Sequence, residues 1–396
     1  MNETNDLITC AKGALKEGGL DGWLIYDNKR SNISALPLLK IPAHYILSRR
    51  LFYWIPASGE PIKLVHAIEP HTLDHLPGTL STFASWRSLA EALKTLLAGK
   101  RRIAMEYSPN AALPSLSHVD GGTLDLIRLL GVEVVSSAPC LQAALPKKSA
   151  FQQESHIQAA TICAEAASRA FDWIKAHLDA STPITEFDVQ EFILGHFAAC
   201  DFMTEHAPNV SVNANTADPH YNPTAAHSLP IKRGDWILID LFCKKKQEGA
   251  LYADLCFVAT AAAAPTPEQQ ALFDLIVLSR NAALSLIQDR LRGGEPVYGF
   301  EVDNVARAPI ELAGYGPYFL HRTGHDIDES IHGSGAHLDD FETHDIRRLL
   351  PDSCFSIEPG IYLPGQFGVR LECNVFLTQG GEMVITGSPQ DKITCL

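Results

Sequence analysis

Four acidic residues interrupt strand-like, apolar segments, and they are the residues of this 396-residue chain best suited to chemistry: Asp240, Asp254, Glu358 and Glu372. Carboxylates on core-like strands are unfavourable unless something neutralises them, and no cluster of lysine or arginine lies in these segments. A metal ion pairs with several carboxylates at once. The set of four therefore predicts a metal centre, although Asp254 and Glu372 taken singly are also typical of strand-end residues that face water.

A histidine cluster, which runs from His321 through His325 to His332, lies between the two pairs of acids. One imidazole with four carboxylates is a hard ligand set. It suits Mn²⁺, or Co²⁺, Zn²⁺ or Fe²⁺ by availability, better than a structural zinc site built on thiolates does. Five ligating side chains are more than one catalytic ion takes while it keeps an open position. Two divalent metal ions that share carboxylates account for the number, and such pairs activate water for hydrolysis.

The first half of the chain alternates strand-like and helical segments, which indicates an α/β domain with a mixed or parallel sheet. We expect strands near residues 21–26, 61–66, 101–106 and 131–135, and helices near residues 5–18, 86–98 and 121–130. We find no nucleophile, ligand cluster or phosphate-binding loop in this half. A proline, two lysines and a serine near Pro146 end it, so we predict domains at residues 1–148 and 149–396.

The second half predicts an α+β domain, with helices packed on an antiparallel sheet. An apolar stripe from Ile157 to Leu178 predicts a long amphipathic helix, and the capping residues Thr185 and Thr266 begin two further helices. Strand pairs are expected at residues 236–242 with 251–258, and at residues 354–358 with 369–377. The four acids lie on these two strand pairs.

Composition excludes several classes of function. The chain has 46 acidic and 32 basic residues and a formal net charge of −14, which argues against a nucleic-acid binder or a protein held on an anionic membrane. Nine cysteines without a CxxC pair are typical of reduced thiols in a cytoplasmic protein. The N-terminal residues lack the apolar region of a signal peptide, and no run of eighteen apolar residues predicts a membrane span.

The order Asp, Asp, His, Glu, Glu resembles that of the pita-bread metallopeptidases: the methionine aminopeptidases, aminopeptidase P and prolidase, with creatinase as a metal-free relative. Three motifs carry the resemblance from about residue 151 to the end: Arg322-Thr-Gly-His325, Ser356-Ile-Glu-Pro-Gly-Ile-Tyr362 and Gly368-Val-Arg-Leu-Glu372. The first half resembles, more loosely, the creatinase-type domain that aminopeptidase P and prolidase share. The implied fold is an α+β C-terminal pita-bread catalytic domain, preceded by a smaller α/β creatinase-like N-terminal domain.

The resemblance also implies how the five ligands divide between two ions. Asp240 would hold one ion, and Asp254 and Glu372 would bridge the pair. His325 and Glu358 would complete the second ion. A metal-activated water would attack the carbonyl before proline, and Glu358 could shuttle its proton.

Four further residues resemble substrate-handling residues of the family. His332 lies seven residues past the ligand histidine and would contact the scissile carbonyl or the tetrahedral intermediate. His220 resembles the substrate-side histidine, and His321 resembles another pocket histidine. Arg370 is similar to the arginine that supports the bridging carboxylate and the substrate end. Each has a structural alternative: a surface position for His220, a loop hydrogen bond for His332, a salt bridge to Glu372 for Arg370, and a structural role for His321.

The chain departs from the family pattern at several positions. Asp240 and Asp254 are 14 residues apart, and the insertion 244–249 accounts for this longer hairpin, which costs little free energy. Acids follow the ligand histidine, Gly333 stands where an acid is more common, and Cys373 stands where aspartate is common. Because all five ligands are intact, these departures bear on substrate preference and rate rather than on metal binding.

The resemblance implies a dinuclear Xaa-Pro peptidase of the aminopeptidase P or Xaa-Pro dipeptidase type, acting on small peptides with proline at the second position. It also implies a homodimer. Two alternatives stay open: a non-catalytic binding protein with the same fold, and a creatinase-like amidinohydrolase. The first is disfavoured because such relatives usually lose ligands, and the second because creatinase lacks the ligands present here.

Overall fold

The computed structural model describes residues 3–144 and 147–396, with side chains from Leu7 onwards in the first helix. The chain divides into two units, Met1–Pro146 and Lys147–Leu396. Leu145 and Pro146, where the sequence predicts the domain boundary, lie outside the described residues. The domain limits at 1–148 and 149–396 stay a prediction.

The first unit alternates strands and helices, as its sequence predicts. Its elements are α1 (Glu3–Glu17), β1 (Gly22–Asn28), α2 (Leu36–Leu39), β2 (Arg50–Pro56), β3 (Ile62–His66), β4 (Thr79–Phe83), α3 (Trp86–Leu96), β5 (Arg102–Met105), α4 (Gly121–Arg128), β6 (Glu133–Ser136) and α5 (Ala138–Ala143). The strands form one mixed sheet in the order β4-β3-β2-β1-β5-β6. Strand β2 is not predicted, because its continuous apolar run is buried on both faces and shows no alternation.

The buried carboxylate of Glu106 ties the sheet of the first unit to a neighbouring turn. It accepts hydrogen bonds from Trp23 Nε1 at 2.5 Å and from Asn32 Nδ2 at 2.6 Å. The backbone N–H of Tyr26 also donates to it, at 3.4 Å. Burial nevertheless raises the pKa of Glu106 to about 7, although these hydrogen bonds lower it. The side chain is therefore a pH-sensitive part of this unit.

The second unit packs helices on antiparallel sheets, as predicted. Its elements are α6 (Ala150–Asp179), α7 (Glu186–Ala199), β7 (Phe202–Met203), β8 (Asn209–Val212), β9 (Trp236–Lys245), β10 (Tyr252–Thr260), α8 (Pro267–Gly293), α9 (Gly299–Leu312), β11 (Cys354–Ile357), β12 (Gly360–Leu363), β13 (Phe367–Arg370), β14 (Cys373–Leu377), β15 (Met383–Thr386) and β16 (Thr394–Cys395). One sheet has the order β16-β10-β9-β7 with β8 also on β9, another has the order β11-β14-β15, and β12 pairs with β13.

Helix starts follow the predicted caps. The Thr185 side chain accepts from the backbone N–H of Asp188, whose side chain accepts in return from the backbone of Thr185. Thr266 forms the same reciprocal box at the start of α8, and Gly294 ends that helix in a left-handed conformation with φ of 67°.

Two sequence predictions differ from the structure. Ile157, the first residue of the predicted apolar stripe, is 45% exposed, whereas the rest of the stripe lies in or packs against an apolar core of the second unit, together with Ala159 and Cys163. Small side chains on this face let α6 approach β9 and β10 closely. The predicted strand 369–377 is also interrupted, because Leu371 and Glu372 separate β13 from β14.

Within the described residues, α8 is the one helix that is long and apolar enough to cross a membrane, judged by length and composition alone. Its Leu272, Phe273 and Ile276 pack in one apolar core of the second unit, and its Ala283 lies in another. Arg280 is buried on the same helix and pairs with Asp391 at 2.5 Å. These contacts are those of a core helix.

We expect Glu106 to make stability fall as the pH rises. Its folded pKa of about 7 lies above the ordinary value of 4.5, so the native state binds the extra proton between these two pH values. The free energy of unfolding should therefore drop by roughly 3 kcal/mol across that window and stay low above it. Urea unfolding of the full chain from pH 4.5 to 8, compared with Glu106→Gln, measures this. Parallel pH profiles for the two proteins would contradict it.

Candidate metal centre

The hairpin of β9 and β10 places two of the predicted ligands on one face. In its register Asp240 lies opposite Cys256 and Asp254 lies opposite Phe242. The two aspartates are therefore diagonal neighbours, and side chains on one face alternate along each strand. The side chain of Asn374 fixes the second aspartate, because it accepts from the backbone N–H of Asp254 at 2.9 Å and donates to its carbonyl at 2.6 Å.

Ser356 joins two of the sequence motifs. Its hydroxyl oxygen accepts from the backbone N–H of His325 at 2.9 Å, and the hydroxyl donates to Glu358 Oε1 at 3.0 Å. Gly324 allows this contact, since a Cβ there would lie 2.0 Å from the carbonyl oxygen of Ser356. His325 Nδ1 lies 3.1 Å from the carbonyl oxygen of Asp326. When the Nδ1–H donates to that oxygen, the lone pair of the ring is on Nε2, the nitrogen that faces the acids.

The structure brings four predicted ligands together around His325 Nε2. This atom lies 3.5 Å from Asp254 Oδ2 and 3.4 Å from Glu358 Oε1. Donor atoms of Asp254, His325 and Glu372 all lie within 4.8 Å of one another. The predicted ligands thus converge from the first hairpin, the end of β11 and the break between β13 and β14.

Asp240 is held differently from the other ligands. Its Oδ2 accepts from Arg370 Nη2 at 2.5 Å, and Arg370 Nη1 donates to the hydroxyl of Tyr362 at 2.9 Å. The predicted support of Glu372 by Arg370 is not the contact that the structure has: among the described residues, the ion pair of this arginine is with Asp240.

Burial and the crowding of like charges together set the electrostatics of this cluster. Burial, followed by the charges of Asp254, Glu358 and Asp240, holds the pKa of Glu372 well above its ordinary value. Burial also raises the pKa of Asp240 to about 7, although Arg370 lowers it. Two buried oxygens, Asp254 Oδ1 and Glu372 Oε1, have no hydrogen-bond partner among the residues that the structure describes. Unpaired, crowded carboxylate oxygens beside an imidazole nitrogen fit a divalent cation.

The histidines predicted to handle substrate surround this cluster. The ring of His332 packs edge-on against His325 with centroids 4.3 Å apart. His220 is exposed on the loop between β8 and β9, and its charge is among the influences that lower the pKa of His332 to about 4, after burial. His321 Nε2 lies 2.7 Å from the Tyr362 hydroxyl, which links it to Arg370.

The departures after the ligand histidine have a structural explanation. The buried carboxylate of Asp326 accepts from the backbone N–H of Gly335 at 2.8 Å, and its carbonyl oxygen accepts from Gly333 N–H at 2.7 Å. A Cβ at Gly333 would lie 2.0 Å from Asp326 Oδ2, and one at Gly335 would lie 2.2 Å from Oδ1. Asp326 therefore closes the loop that carries His332, and both glycines make room for it.

Sequence reasoning missed two supporting residues of the site. Asp303 on α9 is fully buried and accepts from both the backbone N–H and the hydroxyl of Thr323, at 2.9 and 2.6 Å. It also pairs with Arg307 at 2.9 Å, and an acid four residues before an arginine on an apolar helix face was the available signal. Tyr362, the last residue of one of the three motifs, is the second, and its hydroxyl connects His321 with Arg370.

The chain is similar in sequence to known proteins. The sequence profile of metallopeptidase family M24 matches residues 154–379, more than half of the chain. Over 182 residues the chain is 32% identical to the Xaa-Pro dipeptidase of Lactobacillus helveticus, a match that covers 46% of this chain and 45% of that protein. The chain thus spans less than half the length of the curated relatives it matches.

Solved structures match along nearly the whole chain. The dipeptidase PepE of Mycobacterium ulcerans aligns with a TM-score of 0.67 and 22% identity, over 99% of this chain and 97% of that one. The X-prolyl aminopeptidase of Caenorhabditis elegans, a cytosolic enzyme with a dinuclear active site, aligns with a TM-score of 0.62 and 15% identity, over 98% of this chain and 62% of that one. At these identities the likeness shows the fold, and it confirms the predicted pita-bread fold class.

Removal of one carboxylate is expected to abolish stabilisation by metal. With Mn²⁺ at 100 times its dissociation constant, the wild-type protein should gain roughly 2.7 kcal/mol, and Glu372→Gln should gain almost nothing. The metal-free variant should be no less stable than wild type, since the amide removes a like charge. Calorimetric unfolding with and without MnCl₂ measures both. Glu382→Gln, on the exposed turn before β15, is the matched control, and an undiminished metal effect in Glu372→Gln would refute the assignment.

Gly333→Ala is expected to displace the His332 loop. The new Cβ would collide with the Asp326 carboxylate, so the loop must shift, and we expect hydrolytic activity to fall at least about 10-fold. Gly195→Ala in the exposed face of α7, where a Cβ meets nothing within 4 Å, controls for the added methyl group. Steady-state kinetics and a crystal structure of the variant measure the effect, and an unmoved loop would contradict it.

Proposed function

Because the chain belongs to metallopeptidase family M24, we propose that it is a dinuclear metal-dependent Xaa-Pro peptidase. It would hydrolyse the bond before a proline at the second position of a small peptide. The observation that carries this proposal is the buried cluster of Asp254, His325 and Glu372, whose donor atoms lie within 4.8 Å of one another. The Xaa-Pro dipeptidase of Lactobacillus helveticus, a relative over 182 residues, supports the substrate class.

Bound divalent ions would supply an acidified water and polarise the scissile carbonyl. The residues of the chain would do the rest. Glu358 has its Oε1 engaged by Ser356, so Oε2 would take the proton of the attacking water and pass it to the leaving nitrogen. An imidazole N–H of His332 would donate to the developing oxyanion.

The remaining residues would bind the peptide. His220 would contact it from the loop between β8 and β9, on the side that faces His332. Arg370, fixed between Asp240 and Tyr362, would stabilise its end together with His321. Because Asp240 Oδ2 accepts from Arg370, this ligand and the substrate-binding arginine share one hydrogen-bond chain.

The proposal includes the native metal, the assembly and the compartment. Mn²⁺ suits a centre of four carboxylates and one imidazole, and Co²⁺, Zn²⁺ and Fe²⁺ fit the same donors. A homodimer follows from the resemblance to aminopeptidase P and prolidase. A cytoplasmic location rests on the nine scattered cysteines without a CxxC pair.

An assay with added Mn²⁺ tests the proposal and separates its two substrate types. We expect the purified chain to cleave Ala-Pro or Ala-Pro-Ala, and to leave the matched peptides without proline largely intact. Cleavage of the dipeptide alone indicates the Xaa-Pro dipeptidase type, and cleavage of the tripeptide indicates the aminopeptidase P type.

Asp254→Ala should lower kcat/KM at least about 100-fold, since even residues that only orient metal ligands are worth 10–100-fold. Asp274→Ala, an exposed aspartate on α8 that bonds Gln270, is the matched control and should keep full activity. If metal-loaded wild-type protein cleaves neither peptide, the proposal fails. In that case about two ions per chain would still indicate a metal centre, and a metal-free protein would favour a binding role.

A further inference from the structure

The fully buried carboxylate of Glu186, the first residue of α7, has no part in the chemistry proposed above. Its Oε1 accepts from the backbone N–H of Val212 at 2.8 Å and from Asn215 Nδ2 at 2.9 Å. Its Oε2 accepts from the hydroxyl of Tyr221 at 2.6 Å and from the backbone N–H of Leu229 at 2.7 Å. One side chain thus accepts four hydrogen bonds from the end of β8 and the segment that follows it.

These donors lie at both ends and in the middle of the connection that follows β8. We call residues 213–229 the His220 loop. The backbone N–H of Glu186 also donates to the carbonyl oxygen of Leu229 at 3.0 Å, so Glu186 closes the far end of the loop twice. The regular structure within the loop is limited to a short 3₁₀ turn at Asn213–Ala217 and an isolated bridge between Thr224 and His227. Its shape therefore depends on contacts such as these.

The His220 loop is also seated beside the metal centre. The hydroxyl of Thr216 accepts from the backbone N–H of Gly368 at 2.6 Å. A Cβ at Gly368 would lie 2.2 Å from the carbonyl oxygen of Thr216, so the loop backbone packs directly on β13, two residues before Arg370. The influence of His220 on His332 agrees with this placement.

A carboxylate is the group that this position requires. Among the described residues no lysine or arginine pairs with Glu186, so the buried charge is compensated by hydrogen bonds alone. An ionised carboxylate accepts at both oxygens. Glutamine has the same shape, but its amide NH₂ would face two donors, and two of the four hydrogen bonds would be lost.

We propose that Glu186 is a positioning residue, which holds the His220 loop so that His220 meets the substrate in one fixed place. This inference rests on the proposed function, because it acts through the contact of His220 with the peptide. It concerns neither metal ligation nor proton transfer, so substitution of Glu186 should leave the metal content of the protein unchanged.

Glu186→Gln tests the proposal, with Asp188→Asn as the matched control. Asp188 lies exposed in the same first turn, and its carboxylate bonds only the backbone and hydroxyl of Thr185 among the described residues. The control therefore removes a cap of α7 without touching the loop. Hydrogen exchange read by mass spectrometry should show the amides of Val212 and Leu229 exchanging about 10-fold faster in Glu186→Gln, and unchanged in Asp188→Asn.

A double-mutant cycle with His220→Ala separates positioning from general loss of structure. Glu186→Gln should lower kcat/KM for the Xaa-Pro peptide about 10-fold in the wild-type background, and less than about 2-fold when His220 is already absent. Equal costs in the two backgrounds would overturn the proposal. So would an exchange pattern in Glu186→Gln identical to that of wild type.

A second variant covers the case in which Glu186→Gln does not fold. Tyr221→Phe removes one of the four donors, and it should loosen the loop and lower kcat/KM in the same direction by a smaller factor. If wild-type protein hydrolyses no peptide, the proposed function fails. The exchange measurement still decides whether Glu186 orders the loop.

Discussion

The second unit depends on one unfavourable interaction, the burial of several carboxylates within a few ångströms of each other. A buried polar oxygen without a partner costs about 1–3 kcal/mol, and Asp254 Oδ1 and Glu372 Oε1 are both in this state. The chain cannot relax by turning these acids outward, because they lie on or beside paired strands. Neighbouring side chains keep the acids in these positions. Asn374 binds the backbone of Asp254, and the Ser356 hydroxyl donates to the carboxylate of Glu358.

Other buried acids in the same unit have the opposite role and hold irregular backbone in place. Between α9 and β11 the chain runs through a long stretch without a strand, which is uncommon in a compact domain. Asp339 there accepts three backbone N–H groups and the hydroxyl of Thr343, and Asp303 ties the ligand-bearing turn to α9. The buried acids of the second unit thus include oxygens that lack partners and carboxylates with complete hydrogen bonding.

The sequence predicted most of the features that depend on residues close together along the chain. Local residue types predict the capping boxes and the first hairpin. The order of the five candidate ligands is visible in the sequence itself. The break at Leu371–Glu372 was not predicted, because apolar and polar residues alternate from Val369 to Asn374 as in one continuous strand, and only pairing with different partners divides it. Ile157 was wrongly assigned to the buried face of α6, because its spacing fits the stripe that the following residues of the helix form. Glu186 acquires its role from a loop outside its own helix, so no local pattern marks it, whereas the local signal for Asp303 was Arg307 four residues later.

The fit of Asp326 between two glycines also has an evolutionary consequence. Any side chain larger than glycine at position 333 or 335 meets the carboxylate at position 326, while a smaller residue at 326 leaves the Gly335 amide without its acceptor. Each single substitution thus produces either a steric clash or a lost hydrogen bond in this loop. The three positions should change together among descendants of this chain, and a lineage that acquired this arrangement would rarely leave it one substitution at a time.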